Sequence, residues 1–335
     1  MGAANSLCAQ VGERWRAVDP LLPAPGLAVP DCGVKLAVTG PGGSTVAAGW
    51  CEHWAGAAGS LELSWGAARR FQLTAQVAGP DVACALDELL SRWRDHLAAA
   101  PDTAAEDTAA TVTWPSRDVD GIATLLRHRF APLEVIAARI VPERRGPAAA
   151  VADPEGGPLE AGPLEAGLLE PGLLIRRAGP ADVDAVVRLG LEVIRFDSRF
   201  GSVRERPDTV RGLRAEALGS LLTGPAAWTW LVERDGMPVA LLAAQRPESA
   251  AWITSVVRRA PAGYLMLMFV APGERSRGIG AALTGQFHRE AAAAGMAVTL
   301  LHYEQLNPLS APFWNRQGYR PLWTVWETTP ARAIR

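Results

Sequence analysis

Apolar positions along the C-terminal half recur with two different periods, and the switches between them predict a run of elements. "GLLIRRAG", from Gly172, reads as a short strand. "PADVDAVVRLGLEVIRF" puts Pro180 and Asp182 near a helix start and carries apolar residues at helical spacing. A charged, less regular stretch follows, "DSRFGSVRERPDTVRGLRAEALGSLL", whose end is helical. "AWTWLVERDGMPVALLAAQ" reads as two strands joined at Asp235-Gly236, a strong hairpin signal. "GYLMLMFV" is apolar without interruption, as in a central strand. A helix to Ala294, a strand "AVTLLHYE", a helix "PLSAPFWNRQ" closed by Gly318 and a strand "YRPLWTVWE" complete the order β-α-α-β-β-β-α-β-α-β.

The first half repeats the later part of that order. "GVKLAVTG" and "STVAAGWCEHW" form paired strands around "PGG", then come strand "RRFQLTAQVAG", helix "DVACALDELLSRWRDHLA", strand "ATVTWPSR", helix "VDGIATLLRHR" and strand "PLEVIAARIV". Asp118 to Phe130 and Asn307 to Tyr319 have equal length and lie between matching strands. One feature is not shared. Where the second half has "VAPGERSRGIGAAL", the first has "VAGPDVACAL", without arginines or paired glycines. Between the halves, "GPLEAGPLEAGLLEP" repeats Pro and Gly at a spacing that blocks both helix and sheet ladders. The expected organisation is a first domain over residues 1–147, a Pro/Gly/Leu/Glu repeat linker over 148–173 and a second domain over 174–335.

Composition narrows the class. With 335 residues, 49% apolar and 20% charged, each half has material for its own core. A net charge of −2 argues against nucleic acid as a partner. Cys8, Cys32, Cys51 and Cys84 show no C-x-x-C pair or metal-ligand spacing, so no metal is expected and free thiols in a reducing compartment are the plain reading. The start "MGAANSLCAQVGERW" is not a secretory signal, and no apolar run is long enough for a membrane span. These features predict a cytoplasmic protein without a membrane partner.

The candidate chemistry lies in the turn "FVAPGERSRGIGAAL". A strand ending at Val270 and a helix starting near Gly278 aim several backbone N–H groups at one point, a ready-made anion site. Gly278 and Gly280 remove Cβ atoms where a phosphate chain must approach, and Arg275 and Arg277 add charge and paired donors. The turn matches neither a G-x-x-x-x-G-K phosphate loop nor a G-x-G-x-x-G dinucleotide fingerprint.

Arg275-Ser276-Arg277-Gly278-Ile279-Gly280 resembles the R-x-x-G-x-G/A signature of the GNAT N-acetyltransferase superfamily, preceded by a matching strand end, "FVAP". Asn307, Ser310, Phe313, Trp314, Gly318 and Tyr319 resemble its N-x-x-A/S-x-x-F-Y-x-x-x-G-F/Y motif. The resemblance covers about Leu174 to Glu327, and the first half resembles a degenerate copy, as in tandem members such as mycothiol synthase. It implies an α/β (α+β) fold of two tandem GNAT-like domains, each a mixed, mostly antiparallel, splayed sheet flanked by helices, the first lacking the pyrophosphate turn. It also implies acetyl-CoA as acyl donor. Met268, Phe269 and Val270 would pair with the pantetheine arm, the amides from Arg275 to Ala281 would hold the pyrophosphate, Asn307 would bond the pantetheine, and Phe313 and Trp314 would pack along it.

The implied reaction is direct attack of a small-molecule primary amine on the thioester. On "AVTLLHYEQLN", Glu304 and His302 share one face by alternation and are the candidate bases. The family's frequent thiolate acid is a tyrosine at the position of Trp314; indole cannot release a proton usefully, which leaves Tyr303 or Tyr319 as substitutes, water as the acid, or a thiolate that departs unaided. Phe196, Asp197, Arg199 and Phe200 are the candidate acceptor contacts. The first half supplies another wall or a homodimer surface. Two other functions fit the same motifs: a non-catalytic acyl-CoA-binding protein, for which Trp314 is the best clue, and a protein or peptide N-acetyltransferase.

Overall fold

The computed structural model describes residues 2–26, 33–142, 170, 172–222 and 228–335. The repeat expected to form the linker lies outside the described residues apart from Glu170, Gly172 and Leu173.

In chain order the first half contains α1 (Gly2–Val18), β1 (Val34–Thr39), β2 (Thr45–Ala55), β3 (Arg69–Val77), α2 (Val82–Ala99), β4 (Thr108–Pro115), α3 (Ile122–Arg127) and β5 (Ala131–Ile140). The second contains β6 (Leu173–Arg177), α4 (Val183–Asp197), α5 (Thr209–Leu221), β7 (Trp228–Arg234), β8 (Met237–Gln245), β9 (Ala262–Val270), α6 (Ile279–Ala293), β10 (Val298–Glu304), α7 (Ser310–Arg316) and β11 (Arg320–Thr328). Every strand and helix read from the two periods is present. Asp235 (φ 51°) and Gly236 (φ 78°) make the left-handed pair that closes the β7–β8 hairpin. Helix α1 had no sequence-based forecast. Its Leu7, Val11 and Trp15 are buried against Trp323, Leu300 and Tyr264 of the other half.

Among the described residues, the eleven strands form one sheet, in the order β1-β2-β3-β4-β11-β5-β10-β9-β8-β7-β6. Within each half a parallel pair sits at the centre, β3 with β4 and β9 with β10. The final strand of each half then crosses to the other. β5 pairs antiparallel with β10, β11 pairs antiparallel with β4, and the two exchanged strands pair with each other. Each exchanged strand is thus paired on both edges, one edge in each half.

Alternation along these strands separates two cores. On one face α2 and α3 cover β1–β4 and β11, with Trp93, Trp114 and Phe130 at the centre, while α6 and α7 cover β7–β10 around Trp230, Phe287 and Tyr319. On the other face lie α1, the 3-10 turn Ala251–Val256, α4 and α5. Polar contacts also tie the halves together. Asp19 is buried and paired with Arg320 (Oδ1 to Nη2 2.9 Å). The segment after α4 is held to the first half by Arg206, which donates to Asp107 (2.7 and 3.0 Å) and to the Gly66 carbonyl (2.8 Å), and by the Ser64–Thr209 hydroxyl pair (2.7 Å). The Arg206 guanidinium holds the Asp107 carboxyl below its ordinary range.

Removing either half would leave two central strands with open, apolar edges. Fragments 1–142 and 170–335 are therefore expected to aggregate or stay unfolded when produced separately, and to give one cooperative thermal transition when co-expressed. A cooperative, monomeric fragment in calorimetry and sedimentation would contradict this.

Candidate active site

The site begins with a failure of pairing. β9 runs parallel to β10 from Ala262 opposite Val298 to Leu265 opposite Leu301, and there the pairing stops. On its other edge β9 stays bonded to β8 as far as Val270, but the register slips between Ala243 and Ala244, leaving Met266 as an extra residue. A bulge of this kind bends and twists its strand. The edge of β9 from Met266 to Val270 consequently faces a gap instead of β10.

The gap leads to the start of α6. After the short 3-10 turn Pro272–Glu274, Ser276 (φ 63°) and Gly278 (φ 79°) take left-handed conformations. Gly278 is the residue before α6 and offers no side-chain cap, so the first amides of the helix keep their donors free. The equivalent turn of the first half is closed: the Asp81 carboxylate accepts from the Cys84 amide (2.9 Å) at the start of α2. Gly280 serves packing as well as access, because a Cβ there would lie 3.2 Å from the Phe313 ring. Arg275 turns back, donating from Nε to the Val270 carbonyl (3.0 Å) with its guanidinium 5.0 Å from the Phe196 ring centre. Arg277 points outward to Glu170 (3.2 Å) and Glu274 (3.7 Å).

A cavity of about 960 Å³ joins this turn and strand edge to the C-terminal end of β10. Met268, Phe269, Val270, Arg275, Ser276, Gly278, Ile279, Gly280, Ala281, Asn307, Phe313 and Trp314 line it, as do Phe196, Asp197, His302, Tyr303 and Glu304. Arg277, Arg199, Phe200 and Tyr319 do not. Tyr319, expected as a substitute thiolate acid, is buried in the α6–α7 core, its hydroxyl against Thr299 (3.0 Å) and His288 (3.3 Å). The glycine-ended helix α7 directs that ring inward, whereas Tyr303 reaches the cavity from the C-terminal end of β10. Arg199 and Phe200 instead pack on Phe196, at 5.7 Å and 5.2 Å.

Beyond the gap the cavity becomes acidic. Glu304 is 3% exposed, and its Oε2 has no hydrogen-bond partner. Burial, reinforced by Glu134, Asp197 and Glu327, pushes its carboxyl up to about 9. Burial likewise raises Asp197 to about 6, against the pull of the Asn307 amide that donates to it (2.8 Å), and Glu327 to about 7. Asn307 is thus engaged locally, since its Oδ1 also accepts from the Leu309 amide (3.0 Å). His302 Nδ1 meets the Tyr264 hydroxyl at 2.9 Å, and its ring stacks on Trp252 (6.2 Å, 14°). Burial raises the phenols of Tyr264 and Tyr303, so both stay protonated at neutral pH.

The first half completes the chamber. Trp54, Leu61, Glu62, Trp65, Arg70 and Glu134 line the same cavity. Glu134 lies directly opposite Glu304 in the β5–β10 ladder, and the Arg70 guanidinium stacks on Trp54 at 3.8 Å. None of these was singled out from sequence. The one available signal is local: Glu134 is the single charge inside "PLEVIAA", on a strand otherwise fit for burial.

Comparison with known proteins bears on the same region. Residues 199–319 match the acetyltransferase (GNAT) family model. No curated protein matches the chain significantly in sequence. Among solved structures, a GCN5-related N-acetyltransferase from Sphaerobacter thermophilus aligns at 14% identity over 98% of this chain and 92% of its own, with a TM-score of 0.57. A GCN5-related N-acetyltransferase from Ralstonia eutropha JMP134 aligns at 25% identity over 45% of this chain and 94% of its own, TM-score 0.35. A tandem GNAT protein from the clavulanic acid biosynthesis pathway aligns at 12% identity over 96% and 95%, TM-score 0.43. The first of these likenesses supports the α/β fold across the whole chain, and the family match places the open turn and the end of β10 within its span. Residues 199–319 thus match the acetyltransferase (GNAT) family model, and the chain as a whole shares its fold with a GCN5-related N-acetyltransferase.

Proposed function

We propose that the protein is an acetyl-CoA-dependent N-acetyltransferase that acts on a primary amine of a small molecule by direct attack. The observation that carries this reading is the contrast between the two helix starts: α2 is closed by a carboxylate, whereas α6 is left open at the end of an unpaired strand edge. The residues present fit the cofactor. The free amides from Ser276 to Ala281 suit its pyrophosphate, and the edge from Met266 to Val270 suits a pantetheine arm laid down as an extra strand. Phe313 and Trp314 line that path, and Asn307 orients the end of β10 through Asp197.

When bound, acetyl-CoA supplies an activated acyl carbon; the chain supplies position and proton handling. An incoming ammonium must lose a proton before it attacks. Glu304 is the carboxyl placed to receive it; its Oε2 has no hydrogen-bond partner and packs against Gly201. His302, fixed by Tyr264 and Trp252, shapes the wall beside it. Tyr303 is the phenol in this cavity on the side of Trp314, and it would give a proton to the departing thiolate, which the Trp314 indole could hydrogen-bond but not protonate. That phenol favours an enzyme over a silent acyl-CoA-binding protein.

Three outcomes test the reading. Gly278→Asp sets a carboxylate against the phosphates in a left-handed position, and like-charge juxtaposition of several kcal/mol predicts a loss of about 100-fold or more in CoA affinity by calorimetry. Unchanged affinity would remove the turn from the site. Because Glu304 accepts a proton only when ionised and sits at about 9, kcat/KM should climb as pH rises towards that value. Glu304→Gln should abolish this limb and lower kcat/KM by roughly 100-fold; a variant that retained the limb would assign it to another group. Stability should move the other way. The folded state keeps a proton that the unfolded chain, near 4.5, gives up, so wild-type stability falls as pH rises through this window. Glu304→Gln should therefore raise the melting temperature at pH 8 more than at pH 5.

A further inference from the structure

A second cavity, about 620 Å³, lies on the same face of the sheet as Glu304 but over the first half. Trp65, Arg70, Glu134, Trp252 and His302 line both cavities, so the two meet beside the acidic end of β10. Its floor follows from strand alternation. Thr74 and Gln72 of β3, Thr111 and Thr113 of β4 and Glu327 of β11 all point to that face, and Trp50 and Trp323 flank them. This wall is rich in hydroxyl and amide groups. Around the junction, Glu62, Glu134, Asp197, Glu304 and Glu327 outnumber the guanidinium groups of Arg70 and Arg204 that reach them. Two polar atoms at this junction are buried without a partner, Glu304 Oε2 and Arg70 Nε. Unsatisfied groups of this kind are costly unless a ligand completes them.

We propose that the acceptor is an elongated, polar, cationic amine: its reacting end enters among Glu134, Asp197 and Glu304, and its body lies in the second cavity across the strands of the first half. This rests on the acetyltransferase reading for the identity of the reacting end, while the placement of the body rests on the joined cavities. The first half then acts as the specificity wall of the site. The acidic groups of Glu62, Glu134 and Asp197 select a cation even while Glu304 keeps its proton, the hydroxyl and amide groups bond a polar chain, and the tryptophans give it flat faces to lie against.

The test uses the full-length protein with CoA bound and two probe series, oligo(ethylene glycol) monoamines and n-alkyl monoamines of matched length. Calorimetry reads binding, and thiol release from acetyl-CoA reads transfer. Affinity should rise at least tenfold with length in the ethylene glycol series and not in the alkyl series. Thr74→Phe, which fills the second cavity from a half-buried position, should cut the ratio of long-amine to short-amine affinity about tenfold. Glu134→Gln should weaken short and long amines alike. Affinity independent of length in the wild type, or a Thr74→Phe effect equal for short and long amines, would overturn the proposal. If length-dependent binding occurs but no amine releases thiol, the acetyl-transfer reading fails while the elongated site stands.

Discussion

The exchange of final strands is the constraint on which the rest of the structure depends. A parallel pair that splays leaves the second strand of the pair in need of a partner on its outer edge, and in each half that partner comes from the other half. Because β5 and β11 also pair with each other, no seam divides the sheet between the halves. Backbone hydrogen bonding therefore holds the first half against the site more firmly than surface packing of two independent domains would.

That placement sets the electrostatics. Glu304 alone at a strand end would be an ordinary carboxylate. Opposite Glu134, near Glu327 and Asp197 and shielded from water, it keeps its proton well above the usual range. The groups that perturb it come from β5, α4 and β11, three elements far apart in sequence. Arg70 and Trp54 arrive from yet another direction, on β3 and β2. In the proposed reading the same assembly explains why a half without a usable cofactor turn is retained: it walls and charges the acceptor chamber. The two helix starts show how little chemistry separates the roles. Asp81 satisfies the amide it faces and fills the helix terminus with negative charge, whereas Gly278 adds nothing and leaves the terminus open.

Much of the chain was legible before any coordinates. Hydrophobic period located the strands and helices of both halves, and the "DG" pair located its hairpin, because these features depend on neighbours within a few residues. The open turn was equally local: glycine, arginine and the strand-to-helix switch occupy one short segment. Helix α1 was missed since its burial is decided by Trp323 and Tyr264, more than two hundred residues away. Tyr303 and Tyr319 could not be told apart as phenols, because the direction each ring takes depends on packing against α6 and α7.

Sequence by itself determined the periodicity, the turn and the motif-bearing strand ends, which are properties of contiguous chain. Tertiary structure alone decided that β5 lies between β11 and β10, and with it the meeting of Glu134 and Glu304. Strand alternation tells which face a side chain takes but not which strand will lie beside it, and the neighbouring strand is what sets the burial and charge of the site.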